Sequence, residues 1–398
     1  MIKGKTGLKR MVFSSIYILI FLSAIGRIQY VSTEQRFWLQ LYRASGYLII
    51  IMGILFILLR RVVLLNRMKT LLYFMLVYET VITIMAYGSI NQYLFNEFVL
   101  DVLTWPFIYI VTWDCVMSLG IPENFKKITV CGVGTILFFS VIHLMQMGSI
   151  DINMAISGVS YCVAVLPLIY LFFSEHLKKP LTVVILVIVM ISTKRTSFLA
   201  LLIGIFVYCI SDTVVQEMAV KKRNRMLALF IAAIVVSLVG YYLLEYSNLD
   251  IILRFTNEDG TMSGRIRLWE MILSAYENQG LLGKLIGNGM HAVKYKINPY
   301  GLGWYAHNSF IEMLYDYGAV GLATLLVFVI SIIKRAIRMN RKKSSLAPVM
   351  SSIIPHMLLF AFASYFFEVG QTILFYSFIL GSCVAIEDAK AKNNIRKS

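Results

Sequence analysis

The sequence predicts an all-α fold, a polytopic bundle of about twelve transmembrane helices, from three observations. Hydrophobic residues fill 59% of the 398 positions and charged residues only 15%, and the mean hydropathy is +0.76. Apolar runs recur along the whole chain, each close to the roughly 20 residues that cross a hydrocarbon layer. Basic residues cluster in alternate connections between these runs. A soluble core cannot hide so much apolar surface, so a soluble protein is excluded.

The first predicted span is an uncleaved helix, because its basic start and apolar run are followed by many further spans. The spans lie near residues 12–27, 38–59, 70–88, 99–119, 128–147, 154–173, 180–193, 196–211, 226–246, 308–333, 347–367 and 370–386. We therefore expect three regions: transmembrane spans one to nine (1–246), a large extracytoplasmic loop between spans nine and ten (247–306), and spans ten to twelve with a cytoplasmic tail (307–398).

The net charge of +16 fits either nucleic-acid binding or the bias that keeps Lys and Arg in cytoplasmic loops. Most of the 37 Lys and Arg fall in one set of alternate connections and at both chain ends. This placement predicts a multi-pass protein of the cytoplasmic (inner) membrane with both termini in the cytoplasm, and it needs no nucleic acid as a partner. The five cysteines lie within spans without paired spacing, which predicts packing residues and no disulfide or metal framework.

The stretch "ISTKRTS" (191–197) separates two spans on the predicted outer side. Lys194 and Arg195 therefore break the positive-inside pattern at a turn with hardly any loop. Snorkelling side chains at a simple turn would explain them, and so would a pair of cations that faces an outward cavity. Both interpretations stay open at this point.

Within the long loop, "SGRIRLWEMILSAYENQG" (263–280) has helical periodicity and ends at a glycine. One face of this helix gathers Leu268, Trp269, Ile272, Leu273 and Tyr276, and the opposite face Arg267, Glu270, Ser274, Glu277 and Asn278. Such an amphipathic helix lies along the outer membrane surface or packs on the bundle. Arg265 falls near the middle of the apolar face. It either snorkels at the helix start or turns inward toward an anionic ligand.

The next segment, "GKLIGNGMHA" (283–292), contains a Gly-x-Gly string. The strand–turn–helix context that a dinucleotide-binding fingerprint requires is missing, so that class of site is excluded. Gly287 and Gly289 are expected to make a tight turn or to let backbone amides approach a ligand.

The stretch "AHNSFIEMLYDYG" (306–318) contains several polar side chains at the start of the tenth span. A belt of Tyr and Trp at headgroup level explains its aromatic residues, but not His307, Asn308 and Glu312 together. Ionisable groups at membrane depth are costly and usually line a cavity. His307 is therefore the first candidate for a functional residue, ahead of Glu312 and Asp316.

These outward-facing candidates suit one kind of chemistry. Arg binds phosphate oxygens with two parallel hydrogen bonds, so Arg195 and Arg265, with Lys194, could hold an anionic diphosphate. A His with a pKa near 6.5 can take a proton from a hydroxyl nucleophile, which is the role expected for His307. A diphosphate is already a good leaving group. The paired carboxylates of a glycosidase and the His/Cys spacing of a metal site are missing, and we expect no cofactor.

Residues 190–330 resemble the O-antigen ligase/polymerase family of membrane glycan transferases. The resemblance rests on "STKRTSFLALLIG", "RIRLW" with Arg265 and Trp269, "GNG" with Gly287 and Gly289, and "AHNSFIEMLYDYGAVGL", in that order. It implies transfer of an oligosaccharide from an undecaprenyl-diphosphate donor to an acceptor hydroxyl at the outer leaflet, without a metal. Arg195 and Arg265 would match the family's diphosphate-binding arginines and His307 its base, whereas Lys194 stands where a small residue is commoner.

The sequence thus predicts a glycosyltransferase, a polymerase of O-antigen, capsular polysaccharide or exopolysaccharide that joins lipid-linked repeat units. Its expected partners are the undecaprenyl-diphosphate-linked oligosaccharide, the growing glycan or acceptor, the bilayer, and a flippase and chain-length regulator of the same pathway. The nearest alternative is a ligase that attaches finished polymer to a lipid, glycan or protein acceptor. A transporter or flippase for lipid-linked glycan is the alternative of another class, and it predicts polar residues spread over both halves of the chain.

Overall fold

The computed structural model describes residues 2–58, 66–88, 92–145, 152–191, 195–217, 262–297, 305–363, 366–367 and 372–395, and this part of the chain is helical without strands. The helices are α1 Ile2–Thr33, α2 Arg36–Leu58, α3 Arg67–Tyr87, α4 Gln92–Glu97, α5 Thr104–Leu119, α6 Asn124–Met145, α7 Ile152–Phe172, α8 Glu175–Ile191, α9 Arg195–Val215, α10 Met262–Glu277, α11 Leu281–Ile286, α12 Ser309–Arg341, α13 Ala347–Ala363 and α14 Ile373–Ile395. Two π-helical turns, Phe98–Leu103 and Val293–Ile297, complete them.

The predicted all-α class is confirmed, and the protein is a multi-pass membrane protein. Seven helical segments of the described chain are long and apolar enough to cross a membrane: Gly7–Tyr30, Arg36–Leu58, Arg67–Tyr87, Phe95–Leu119, Asn124–Met145, Thr196–Val215 and Ser309–Arg341. The predicted spans that fall on described residues overlap helices. The predicted ninth span (226–246) lies outside the described residues, as do 247–261 and 298–304 of the predicted loop. The count of twelve spans and the three-region division therefore stay predictions.

The first two helices pack closely against each other. Because Glu34 and Gln35 alone join α1 to α2, these two helices are antiparallel. Gly26 of α1 lies so close to α2 that a Cβ atom there would stand 2.9 Å from the backbone nitrogen of Tyr42.

The bundle has two ends. We call the end at which α3 finishes and α12 begins the His307 end. At the opposite end, Lys69 forms a buried ion pair with Asp114, with Nζ and Oδ1 2.9 Å apart.

Aromatic side chains fill the centre of the bundle, where α1, α6 and α14 meet. The ring of Tyr17 is stacked between Phe125, with 4.4 Å between ring centroids, and Phe378, at 4.3 Å. The hydroxyl groups of Tyr17 and Thr129 are hydrogen-bonded at 2.6 Å. A buried polar atom without a partner would be costly in this environment, so the hydrogen bond is part of what makes this core stable.

A second, smaller core lies at the His307 end and holds the elements between residues 262 and 306. Its buried members are Leu268, Ile272, Ala292, Val293, Ala306 and Tyr315. They come from α10, the second π-helical turn, the chain before α12, and α12 itself. This core fixes α10 against the start of α12.

Candidate functional site

The start of α12 fixes the backbone around His307. Asn308 is the N-cap of α12, and its side-chain oxygen accepts hydrogen bonds from the amides of Phe310 (3.0 Å) and Ile311 (3.3 Å). Asn, Asp, Ser and Thr are favoured there because they satisfy amides that the first helical turn leaves free. His307 has a φ of +52°, in the left-handed region that few residues other than glycine adopt. Its half-buried side chain is thus presented by a constrained backbone.

The amphipathic helix α10 is attached both to this segment and to the end of α13. The indole nitrogen of Trp269 donates to the carbonyl oxygen of Ala306 at 2.6 Å, directly before His307. The guanidinium of Arg265 donates to the carbonyl oxygen of Ala363 at 3.1 Å. Arg265 is half-buried and turned toward the bundle, and its contact with an anionic ligand stays a prediction.

The predicted faces of α10 are largely reproduced. Leu268 and Ile272 are buried, Trp269 and Tyr276 are half-buried, and the five residues of the predicted polar face are exposed. Leu273 differs from the prediction because it is exposed. α10 ends at Glu277, so the glycine that the sequence proposes as its stop lies beyond the last turn.

The beginning of α9 lies at the same end of the bundle. α9 packs antiparallel to α13: Gly204 lies against the ring of His356, and Ser211 reaches Ser351 through the side chain of Asn340. Beyond the Gly204–His356 contact, α9 runs back to Arg195 while α13 runs on to Ala363. Arg195 therefore starts α9 at the end where Arg265 binds Ala363. The side chain of Arg195 and the whole of Lys194 lie outside the described residues.

The Gly-x-Gly segment docks onto a kink in α12. Gly318 has non-helical backbone angles, which leaves the carbonyl of Asp316 free to accept the amides of Asn288 (2.9 Å) and Gly289 (2.8 Å). A Cβ atom at Gly287, whose φ is +82°, would stand 2.4 Å from that same carbonyl oxygen. Of the two expectations for these glycines, the tight turn is the one observed. The amides of Asn288 and Gly289 are used for helix docking.

Two acidic residues in the first turns of α12 are buried. Asp316 is fully buried, and its Oδ1 accepts the amide of Val293 at 3.2 Å. Glu312 is also fully buried, and its carboxyl group interacts with the backbone of Ala306. An acidic residue in the first turn is favoured by the positive end of the helix dipole.

A cluster around Glu97 escaped the sequence reasoning. One carboxylate oxygen of Glu97 contacts Nδ1 of His291 (3.1 Å) and the hydroxyl of Tyr295 (2.8 Å). The other contacts Nζ of Lys294 at 2.9 Å. The same Nζ donates to the hydroxyl of Tyr305 at 3.3 Å, two positions before His307. This Glu97 cluster thus connects the beginning of the fourth predicted span to the chain that leads into His307.

Opposing effects act on His291, which is completely buried and has a φ of +54°. Burial lowers the pKa of its imidazole, but the hydrogen bond with Glu97 and the charges of Asp101, Glu97 and Asp316 outweigh burial. The resulting pKa is raised above the ordinary value of 6.5. The imidazolium form is thus stabilised by the carboxylates that surround it.

The groups at the His307 end could take part in acyl- or glycosyl-type transfer. Arg265 supplies fixed charge, His307 an imidazole at a constrained position, and Trp269 the hydrogen bond that holds their two segments together. Among the described residues, no group of three or more His, Cys, Asp or Glu is arranged to hold a metal ion. A guanidinium and an imidazole at one end of the bundle suit an anionic substrate with a nearby hydroxyl nucleophile.

Comparison with known proteins identifies a family that part of the chain resembles. Residues 180–326 match the family model Wzy_C, described as O-Antigen ligase. The match begins in α8, includes Arg195, Arg265 and His307, and ends in α12 beyond the Gly318 kink. No curated protein matches the chain. The match supports a membrane glycan enzyme of the ligase or polymerase type, which acts on a lipid-linked glycan. Over residues 180–326 the chain is thus similar to O-antigen ligases, and the resemblance to the O-antigen ligase/polymerase family is confirmed.

Proposed function

We propose that the protein is a polysaccharide polymerase that joins lipid-linked oligosaccharide repeat units on the outer side of the cytoplasmic membrane. One observation carries the proposal: α10 binds the chain before His307 through Trp269 and the end of α13 through Arg265. Together with the position of α9, this supports a single site formed by Arg195, Arg265 and His307. The outer side of the membrane is supported by the basic residues of the alternate connections, which the sequence predicts at the opposite end.

The mechanism follows from the chemistry of these groups. Arg265 and Arg195 bind the diphosphate of the undecaprenyl-linked donor and stabilise the charge that develops on it as the glycosidic bond breaks. His307 accepts the proton of the acceptor hydroxyl as its oxygen attacks the anomeric carbon. The diphosphate leaves from the opposite face, so the configuration at that carbon is inverted. Lys194 is assigned a secondary role in attracting the anionic donor.

The second candidate is a ligase that transfers finished polymer to a separate acceptor, and the description of the matching family favours it. The two activities share the donor, the arginines and the base, and they differ in the acceptor. A flippase would move the donor without breaking a bond. If the protein is a polymerase, we propose a separate flippase and a chain-length regulator as its partners.

The test is incubation of the purified protein in lipid vesicles with a polyprenyl-diphosphate oligosaccharide, followed by sizing of the products. A polymerase gives a ladder of lipid-linked chains that differ by one repeat unit. A ligase gives product only when a separate lipid, glycan or protein acceptor is added. If unchanged donor crosses the vesicle membrane and no new glycosidic bond forms, the proposal is wrong and the protein is a transporter.

A further inference from the structure

The short helix α11 carries three exposed leucines on one face, which no element of the described chain covers. Leu281 is 77% exposed, Leu282 68% and Leu285 43%. Their spacing places them together on a single helical face. Uncovered leucines in such number are unusual for a segment surrounded by water, so their surroundings need an explanation.

The rest of α11 is held from three directions. The hydroxyl of Tyr78 in α3 donates to the carbonyl of Ile286 at 3.2 Å. The hydroxyl of Tyr276 in α10 donates to the carbonyl of Lys284 at 2.9 Å. A Cβ atom at Gly318 of α12 would stand 2.3 Å from the carbonyl oxygen of Leu285. These contacts fix the orientation of α11, and they leave its leucines pointing away from the bundle.

The position of α11 along α3 gives its depth. Because a helical residue rises about 1.5 Å, Tyr78 lies about 13 Å along α3 from the end of that helix at Tyr87. α3 has 21 residues and is thus about 31 Å long, which matches the ~30 Å hydrocarbon layer. The level of Tyr78 therefore lies inside the hydrocarbon and not at the membrane surface.

A second helix gives the same distance from the His307 end. The carbonyl of Tyr317 also accepts the hydroxyl of Tyr78, at 2.8 Å, and the next residue is the Gly318 that packs against α11. Gly318 lies about 13 Å from the start of α12 at Ser309. Two helices that run in opposite directions thus place the end of α11 at the same distance from the His307 end.

At this depth α3 itself faces lipid. Val77 is 63% exposed and Met85 66% exposed, on a helix whose other side packs in the bundle. Val81 and Ile84 continue the same exposed apolar stripe. α11 is bonded to α3 within this range, so its leucines continue the lipid-facing surface of a membrane-spanning helix.

We infer that α11 is a re-entrant segment, whose leucines Leu281, Leu282 and Leu285 contact the acyl chains of the leaflet at the His307 end. The segment between residues 262 and 297 therefore does not only lie above the membrane, because part of it descends beside α3 and α12. This inference is independent of the proposed function, since it concerns the surroundings of α11 and no step of transfer.

The test uses a nitroxide label at Leu282→Cys in the full chain, with the five native cysteines replaced by serine and the protein in phosphatidylethanolamine/phosphatidylglycerol vesicles. Val81→Cys on α3 is the lipid-facing control, and Ser274→Cys on the exposed polar face of α10 is the water-facing control. Electron paramagnetic resonance measures how strongly each reagent relaxes the spin label. We expect oxygen to relax the label at 282 more than an aqueous nickel complex does, as we expect for the label at 81. Behaviour like that at 274, or shielding from both reagents, overturns the inference.

A second measurement avoids any substitution. The unmodified protein in vesicles that contain a phospholipid with a photoreactive diazirine in its acyl chain is irradiated and digested. We expect adducts on the peptide that contains 281–286 as well as on the α3 peptide that contains 77–85. Adducts on α3 with none on α11 would contradict lipid contact by the leucines.

Discussion

His307 depends on its neighbours for its position. Its φ of +52° costs of order 1 kcal/mol or more for a residue with a side chain, and it persists because both flanking residues are held. Ala306 is bound by Trp269, and Asn308 caps α12. A side chain placed by a strained backbone between two fixed points is typical of a functional residue.

Replacement of His307 by alanine tests the base directly. We expect His307→Ala to lower glycan transfer about 10²–10⁴-fold, the range that a positioned base contributes, while donor binding stays near that of the wild type. His176→Ala is a suitable control, because His176 is exposed at the start of α8. Transfer at the normal rate by the His307 variant would remove the base role.

Arg265 and Arg267 form a matched pair on α10. Arg265 is half-buried and directed into the bundle, whereas Arg267 is exposed. A charge-assisted hydrogen bond contributes ~1.5–3 kcal/mol, so Arg265→Ala should weaken donor affinity roughly ten- to a hundredfold. Arg265→Lys should restore it only in part, since lysine lacks the planar fork.

Titration of a labelled donor into each Arg variant gives the affinities. Arg267→Ala should bind as the wild type does. Equal losses at 265 and 267 would mean that the overall charge of α10, and not a directed guanidinium, attracts the donor.

The buried Lys69–Asp114 ion pair allows a prediction about the stability of the fold, separate from its function. Both side chains are almost completely buried, and Lys69 also lies over the ring of Trp113 at 4.7 Å. Removing one partner leaves a buried charge, which typically costs ~3–5 kcal/mol. Lys69→Met or Asp114→Leu alone should thus destabilise strongly, and the double variant should recover much of the loss. Thermal unfolding in detergent measures both, and strictly additive losses would show that the pair is not coupled.

Helices as elements were largely predictable, because apolar runs of membrane-spanning length leave few alternatives to a helix. The kink of α12 was not, since the predicted tenth span continues without a break through "GAVGL" (318–322) and a helical glycine need not bend the chain. The first turns of the fourth predicted span are π-helical, and their irregular hydrogen bonding leaves no mark in hydropathy.

Contacts between distant segments were the least predictable part of the candidate site. Arg195, Arg265 and His307 each stood out locally as a charge or a polar residue in the wrong place. Glu97 and His291 did not, because neither breaks a local pattern. Their contact joins positions 194 residues apart, and only the packing of α4 against the segment before α12 brings them together.

The Glu97 cluster should make the connection between these elements depend on pH. The pKa of His291 is raised above 6.5, so the pairing of its imidazolium with Glu97 contributes stability that is complete below that value. This contribution is lost as the pH rises through the raised pKa. In Glu97→Gln the carboxylate is gone, and burial favours neutral His291.

We therefore expect the melting temperature of Glu97→Gln to fall furthest below that of the wild type near about pH 5 and to approach it toward about pH 9. Some difference should persist at high pH, because Lys294 also pairs with Glu97. Glu270→Gln, at an exposed position of α10, is the control. A difference in melting temperature that is constant over this range would exclude His291 as the titrating group.

At the scale of the molecule, the two ends of the bundle differ in the side chains that the described residues place there. The opposite end is held by side-chain pairs, among them Lys69–Asp114, Arg335–Asp388 and Trp113–Asp388. The His307 end carries the polar residues that these pairs do not explain, within the stretch that matches O-antigen ligases. The orientation of the chain was predicted from its basic residues, and the position of the site was predicted from the long segment between the ninth and tenth predicted spans.

Photo-crosslinking of a donor analogue is the most direct test of the central claim, that one site at the His307 end binds the diphosphate of a lipid-linked glycan. A polyprenyl diphosphate with a photoreactive group beside its phosphates is irradiated with the wild-type protein in vesicles. We predict adducts on the peptides that contain Arg195, Arg265 and His307, which excess unlabelled donor abolishes. Adducts confined to the opposite end, around Lys69 or Arg335, would contradict the claim.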